Sequence, residues 1–148
     1  PEAMRFGDLR AGTDLEFGQS IYEPFGIAQV EPLNAGALCV VSNVCGCVGF
    51  IDRATDGLAL PNVIIADYVT PPDGWHLRSP WDALGIDKRA RDQIEGRNSY
   101  LVAQQISERL PQTDEERLRL LESGQQAARG MGWDVVVRDY LLPALGRC

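Results

Sequence analysis

Ser20-Ile21-Tyr22-Glu23-Pro24-Phe25-Gly26-Ile27-Ala28-Gln29-Val30-Glu31 holds two glutamates eight positions apart. Glu23 and Glu31 bracket a proline and a glycine that open a helix. Pro24 fits the first turn, where a missing N–H has no intrahelical partner to lose. The N–H groups of the next residues, Phe25, Gly26 and Ile27, then face outward as an anion site that suits a diphosphate. Glu23 stands just ahead of this helix, and Glu31 lies two turns along, roughly 10–12 Å away at about 1.5 Å per residue. One carboxylate can take sugar hydroxyls and the other a ribose diol.

Working outward, Asp14 to Gly18 reads as a short strand. The helix from Gly26 to about Asn34 places Ile27, Val30 and Leu33 on one face, with Gly36 as its stop. Pro32 removes the bond to the Ala28 carbonyl and predicts a kink. Ala37 to Asn43 is a nearly continuous apolar run, as expected of a parallel strand covered on both faces. Strand, helix, strand is a parallel crossover unit, so residues 12–50 form a strand-helix-strand core.

The run SIYEPFGIAQVEPLNAGALCVVSNVCG resembles the donor-binding segment of retaining glycosyltransferases with two Rossmann-like domains (the GT-B type), the glycogen/starch synthase and sucrose/trehalose synthase-like group. Ser20, Glu23, Phe25, Gly26, Glu31, Gly36, Ser42 and Gly46 match its ordered signature. The resemblance implies an α/β fold, a Rossmann-like parallel sheet with flanking helices that forms the second half of the C-terminal domain. It implies that Glu23 is catalytic and positions the sugar ring. Phe25, Gly26 and Ile27 would offer backbone N–H groups to sugar or phosphate, Glu31 would hold the ribose, and Gly46 would let the donor approach the C-G-C turn. GWDVVVRDYLLPAL near the end resembles the family's terminal motif through Trp133, Val137, Tyr140 and Leu141, although Gly132 stands where a Ser often precedes the Trp. The two matches are collinear and span roughly residues 12–50 and 98–145.

The 148 residues, 45% hydrophobic and 24% charged, can build one globular core, so 1–148 is expected to be a single, partial Rossmann-like nucleotide-sugar-binding domain. Fourteen Lys+Arg against 21 Asp+Glu leave a net charge of −7, which disfavours a nucleic-acid partner. No run reaches the length of a membrane span, and PEAMRFGDLR has no signal-peptide pattern, so a cytoplasmic location is expected. Cys39 sits inside the apolar strand, Cys148 is last, and only Cys45 and Cys47 are close. With His76 the sole histidine, a C-x-C pair reads as reduced structural thiols in a turn; a metal or redox role is the alternative. Neither a metal nor another cofactor is implied.

Beyond Phe50 the resemblance thins. Asn62 to Thr70 reads as a buried strand and Pro71 to Pro80 as a loop. Trp75 and Trp81 there either stack on a ligand or anchor the loop to the core, and His76 reads as a surface residue. Asp87 to Leu110 is one long helix or two broken at Gly96, burying Ala103, Ile106 and Leu110. Thr113 and Glu116 form a capping box that opens a helix with Leu118, Leu121 and Gln125 before a stop at Gly130.

In the resembling family an Arg and a Lys neutralise the leaving diphosphate from the first half of the donor domain, and an acceptor domain closes the cleft. Neither is expected within these residues. The expected function is the nucleoside diphosphate sugar (donor) binding portion of a transferase that passes a hexosyl group, glucosyl among the candidates, to a sugar or glycan acceptor. The alternative is a non-catalytic binding module or degenerate remnant. The chain alone is expected to lack turnover. The Asp14–Gly18 edge is expected to self-associate, or to pair with a companion chain or domain that completes the sheet.

Overall fold

The strand Leu38–Ser42 (β2) is buried at every position, so both its faces must be covered. It is the middle strand of a three-stranded sheet of order β1-β2-β3, with β1 at Leu15–Gly18 and β3 at Val63–Ala66. Both pairings are parallel, with Phe17 opposite Val40 and Val40 opposite Ile64. The computed structural model describes residues 3–19, 23–68, 70–71, 74–76 and 78–146. Ser20 of the matched motif, Val69 of the expected third strand and Cys148 lie outside the described residues.

Alternation along β2 sends Cys39 and Val41 into one core with Leu33, Ile51 and Val63. Leu38 and Val40 enter a second core with Ile64, Ala66 and Val102. The first face is covered by the segment between β1 and β2 and by α3, Cys47–Ala54. The second is covered by α5, Lys88–Arg109. Each of the fully buried Leu38, Val40, Val41 and Ile64 contributes about 1.5–3 kcal/mol on burial. Two short helices complete this part of the chain, α1 at Phe6–Ala11 and α4 at Pro80–Leu84.

The segment between β1 and β2 is tighter than expected. A single turn, α2 at Ile27–Val30, gives way at Glu31 to a 3-10 helix over Glu31–Ala35, and Gly36 closes it with a φ of +83°. Pro32 explains the change, because it has no N–H to continue the α-helical ladder. Leu33 is buried as expected and Val30 partly so, but Ile27 is exposed.

α6, Asp114–Gly130, lies across the amino ends of the strands. Asn62, just ahead of β3, is fully buried and donates through Nδ2 to the Leu120 carbonyl at 2.9 Å and the Ala37 carbonyl at 3.3 Å. A Cβ on Gly124 would collide with the Leu33 carbonyl oxygen, so only glycine allows this approach. Arg117 reaches Asp14 at 3.3 Å. The Thr113–Glu116 capping box is present at the start of α6.

Three expectations are corrected here, and of the two readings of α5 the single long helix holds. β3 is shorter than Asn62–Thr70, because Asn62 is engaged by α6 and Tyr68 turns away to donate its N–H to Asn43. α5 passes through Gly96 unbroken, since that glycine faces open space and costs a solvated helix only about 1 kcal/mol. Its buried stripe is Ala90, Ile94, Asn98 and Val102, with Ile106 and Leu110 partly buried and Ala103 exposed. Trp75 and Trp81 are exposed, so neither anchors its loop in the core.

His76 is exposed as expected. The last segment runs from α7, Trp133–Val136, through a π-helical turn at Val137–Leu141 into α8, Leu142–Leu145. Trp133 is 81% exposed and opens α7. Arg53 of α3 lies 5.8 Å from the Tyr140 ring centroid and ties this segment to the body. Among the described residues no helix is long and apolar enough to cross a membrane. The β3 edge is occupied by the Arg109 guanidinium, which donates to the Val63 carbonyl at 2.7 Å. β1 has β2 as its one neighbour among the described strands, and Phe17 on it is 63% exposed.

Candidate functional site at the carboxyl end of the sheet

With α6 across the amino ends, the loops that follow Gly18, Ser42 and Ala66 form the opposite, open end. Glu23 returns to the sheet by an isolated parallel bridge to Cys45, just beyond β2. Gly46 donates its N–H to the Glu23 carbonyl at 2.9 Å. A Cβ on Gly46 would collide with the Pro24 carbonyl oxygen. The C-G-C glycine therefore admits the chain's own Glu23-Pro24 backbone, at the place where the resemblance implies approach by a donor. Glu23, Pro24, Phe25, Gly26 and Gly46 are thus brought together in one patch.

Pro24 stands in a bend ahead of the helix, not in its first turn. Gly26, with a φ of +67°, is the N-cap and α2 begins at Ile27. The Glu23 carboxylate folds back through Oε1 to accept the N–H of Phe25 at 3.3 Å and of Gly26 at 3.2 Å. Two of the N–H groups expected to face an anion are therefore already held by a carboxylate of the same loop. The Phe25 ring is exposed.

Glu31 is placed differently. Its Oε2 accepts from Nη1 of Arg10 at 2.6 Å, and Nε of Arg10 lies 3.3 Å from Glu16 of β1. Arg10 also covers the Phe6 ring at 4.7 Å. It is the residue that sequence reading missed. Its position in a short helix gives no signal, because the pairing joins α1, β1 and the 3-10 helix across the fold. Glu31, Arg10 and Ile27 line a hollow of about 780 Å³ whose walls include Leu121 and Ala128 of α6, so it lies beside the crossover segment on the α6 side and not at the carboxyl ends of the strands. Glu23, Phe25, Gly26 and Gly46 do not line it.

A second polar cluster closes the ends of β2 and β3. Asn43 donates to the Asp67 carboxylate at 2.6 Å, Thr70 N–H donates to the same oxygen at 3.0 Å, and Asp67 N–H donates to Asn98 at 2.9 Å. The Asn98 amide donates in turn to the Asp67 and Ile94 carbonyls. This explains a polar residue in the buried stripe of α5. A smaller hollow of about 270 Å³ lies beside Asp67, Arg97 and Asn98.

The three described thiols are buried. Burial, with Glu16 nearby, pushes the Cys39 thiol up to about 12. Burial, then the contact with Cys45, raises the Cys47 thiol as well. Among the described residues no group of three His, Cys, Asp or Glu side chains could hold a metal ion. No family model matches the chain, and no curated protein matches it.

Proposed function

We propose that this chain is the donor-binding part of a retaining glycosyltransferase of the two-Rossmann-domain type. The observation that carries the reading is the Glu23–Cys45 bridge, which seats Glu23-Pro24-Phe25-Gly26 on the C-G-C turn beyond the carboxyl ends of β1 and β2. Open parallel sheets take ligands outside those ends. The sequential order β1-β2-β3 is also the order of the second half of a doubly wound sheet. The hollow beside Glu31 falls in the size range of small-molecule sites.

In this reading Glu31 holds the ribose, and donor binding draws the Glu23 carboxylate off the Phe25 and Gly26 N–H groups. Those N–H groups, with that of Ile27, then meet the diphosphate or sugar, and Glu23 takes the sugar hydroxyls. Hydrogen bonds to a charged partner are each worth about 1.5–3 kcal/mol, so the exchange is nearly balanced rather than prohibitive. The transferred group is a hexosyl unit, and the remaining cationic groups that neutralise the leaving phosphate come from the other half of the domain.

A second reading, a binding module without turnover, draws support from the same geometry: Glu23 is tied to its own loop and Glu31 to Arg10. Thermal shift of the full chain against nucleoside diphosphates and their sugar conjugates tests both. Ligand at 100 times its dissociation constant is expected to stabilise by about 2.7 kcal/mol. No shift with any nucleotide at millimolar concentration would remove both readings. Binding without transfer, when the chain is supplied within its intact enzyme, would select the second.

A further inference from the structure

The thiols of Cys45 and Cys47 take no part in the reading above, which uses only the backbone of their turn. The two residues are 4% and 1% exposed and flank Gly46 where β2 gives way to α3. The Cys47 thiol donates to the Cys45 sulfur across 3.0 Å. A disulfide needs about 2.05 Å, so closing the pair takes roughly 1 Å of movement, within the reach of side-chain rotation in a turn. Cys39, in the same core, instead directs its thiol to the Ala37 carbonyl at 3.9 Å.

The cover over the pair is Gly26. A Cβ there would run into the Cys45 sulfur and would meet the Cys47 Cβ at 3.1 Å and its sulfur at 3.2 Å. The bare Gly26 backbone therefore lies on both sulfurs. It is held down by its own N–H bond to the Glu23 carboxylate and by the Gly46 N–H bond to the Glu23 carbonyl.

The geometry points to a reversible dithiol–disulfide site at Cys45 and Cys47, oxidised by hydrogen peroxide when the Glu23–Gly26 segment lifts. In the lifted state one thiol loses its proton and the thiolate attacks the peroxide O–O bond. An S–O bond forms, and the released hydroxide takes the proton and leaves as water. The second thiolate then attacks the sulfenic sulfur, the S–S bond forms, the S–O bond breaks, and a second water leaves with the second thiol proton. Two thiols lose two electrons in all, and one peroxide becomes two waters. Added dithiothreitol reverses the reaction by thiol–disulfide exchange.

Burial holds the Cys47 thiol protonated while the segment is closed, so the rate follows the population of the open segment. Oxidation and segment position are linked because the sulfurs are the floor on which Gly26 rests. The inference stands apart from the nucleotide-sugar reading and survives its failure.

The test treats the full chain with hydrogen peroxide, quenches it with an alkylating agent, and maps the product by mass spectrometry. The expected product has lost two hydrogens between Cys45 and Cys47, recovers them with dithiothreitol, and forms equally in Cys39→Ser. Gly26→Ala, forced to carry a side chain in the left-handed region, is expected to oxidise roughly ten- to hundredfold faster. Pairing of either cysteine with Cys39 or Cys148 instead, or sulfinic acid without a disulfide, would overturn the assignment. So would thiols that stay reduced under conditions that oxidise the urea-unfolded chain. Hydrogen exchange of the wild-type Phe25 and Gly26 amides serves where Gly26→Ala does not fold. Exchange that differs between reduced and oxidised forms supports the link, and identical exchange breaks it.

Discussion

The two ends of the sheet are built on different principles. At the amino end a 17-residue helix lies against strand starts with a glycine in contact with the Leu33 carbonyl and a buried asparagine bonded to its backbone. At the carboxyl end short loops hold one another through carboxylates and amides, and their side chains are largely within reach of solvent. Packing that leaves no room sets stability, whereas polar groups bonded within loops can exchange partners. The contrast predicts that substitutions at the amino end act on folding and those at the carboxyl end act on binding.

The largest effect is expected at Gly124. Gly124→Val places branched carbon where the Leu33 carbonyl stands and should lower stability by about 3 kcal/mol, read from the urea midpoint. A change below about 0.5 kcal/mol, the range of an ordinary surface position, would mean that α6 is not the tight contact.

Glu31→Ala is next. If Glu31 holds the ribose as proposed, its removal should weaken nucleoside diphosphate affinity by roughly 1.5–3 kcal/mol in titration calorimetry. Its stability cost should be smaller, because Arg10 retains Glu16. Equal affinity in wild type and variant would take Glu31 out of the site.

Glu23→Ala addresses the carboxyl end itself. It leaves two N–H groups to solvent and should cost about 0.5–1.5 kcal/mol of stability, with little change in affinity for the free diphosphate and a marked loss of turnover in the intact enzyme. Loss of free-diphosphate binding as large as that of Glu31→Ala would erase the distinction between the two carboxylates.

The smallest effect tests the amino-end helix by pH. The Glu116 carboxyl is held below its ordinary value of 4.5, first by the Gln112 N–H and then by the Thr113 N–H. Its folded value is depressed, so its contribution is present above 4.5 and is lost as pH falls through the lower folded value. Glu116→Gln keeps the cap and removes the titration, so its stability curve should be flatter than wild type below pH 4.5. Parallel acid limbs in the two proteins would exclude this contribution.

Much of the fold is written locally. β2 is legible because five consecutive residues are buried, Gly36 because it ends a helix at positive φ, and the Thr113–Glu116 box because both halves lie within one turn. The misses share a different cause. Asn98 hides in the buried stripe of α5 because its amide is satisfied by Asp67, and a search for apolar periodicity passes over it. Leu118 and Leu120 are indistinguishable by type, and only the second core selects Leu120. At the site, Gly46 was legible as a place of close approach, but not that the approaching atom is Pro24's own carbonyl. Arg10 could not be read at all, since its partners Glu16 and Glu31 come from two other elements.

The Arg109 guanidinium on the Val63 carbonyl guards one side of the sheet. A strand arriving at β3 would have to strip a charged donor from the acceptor it needs, so one cation opposes growth of the sheet at that edge.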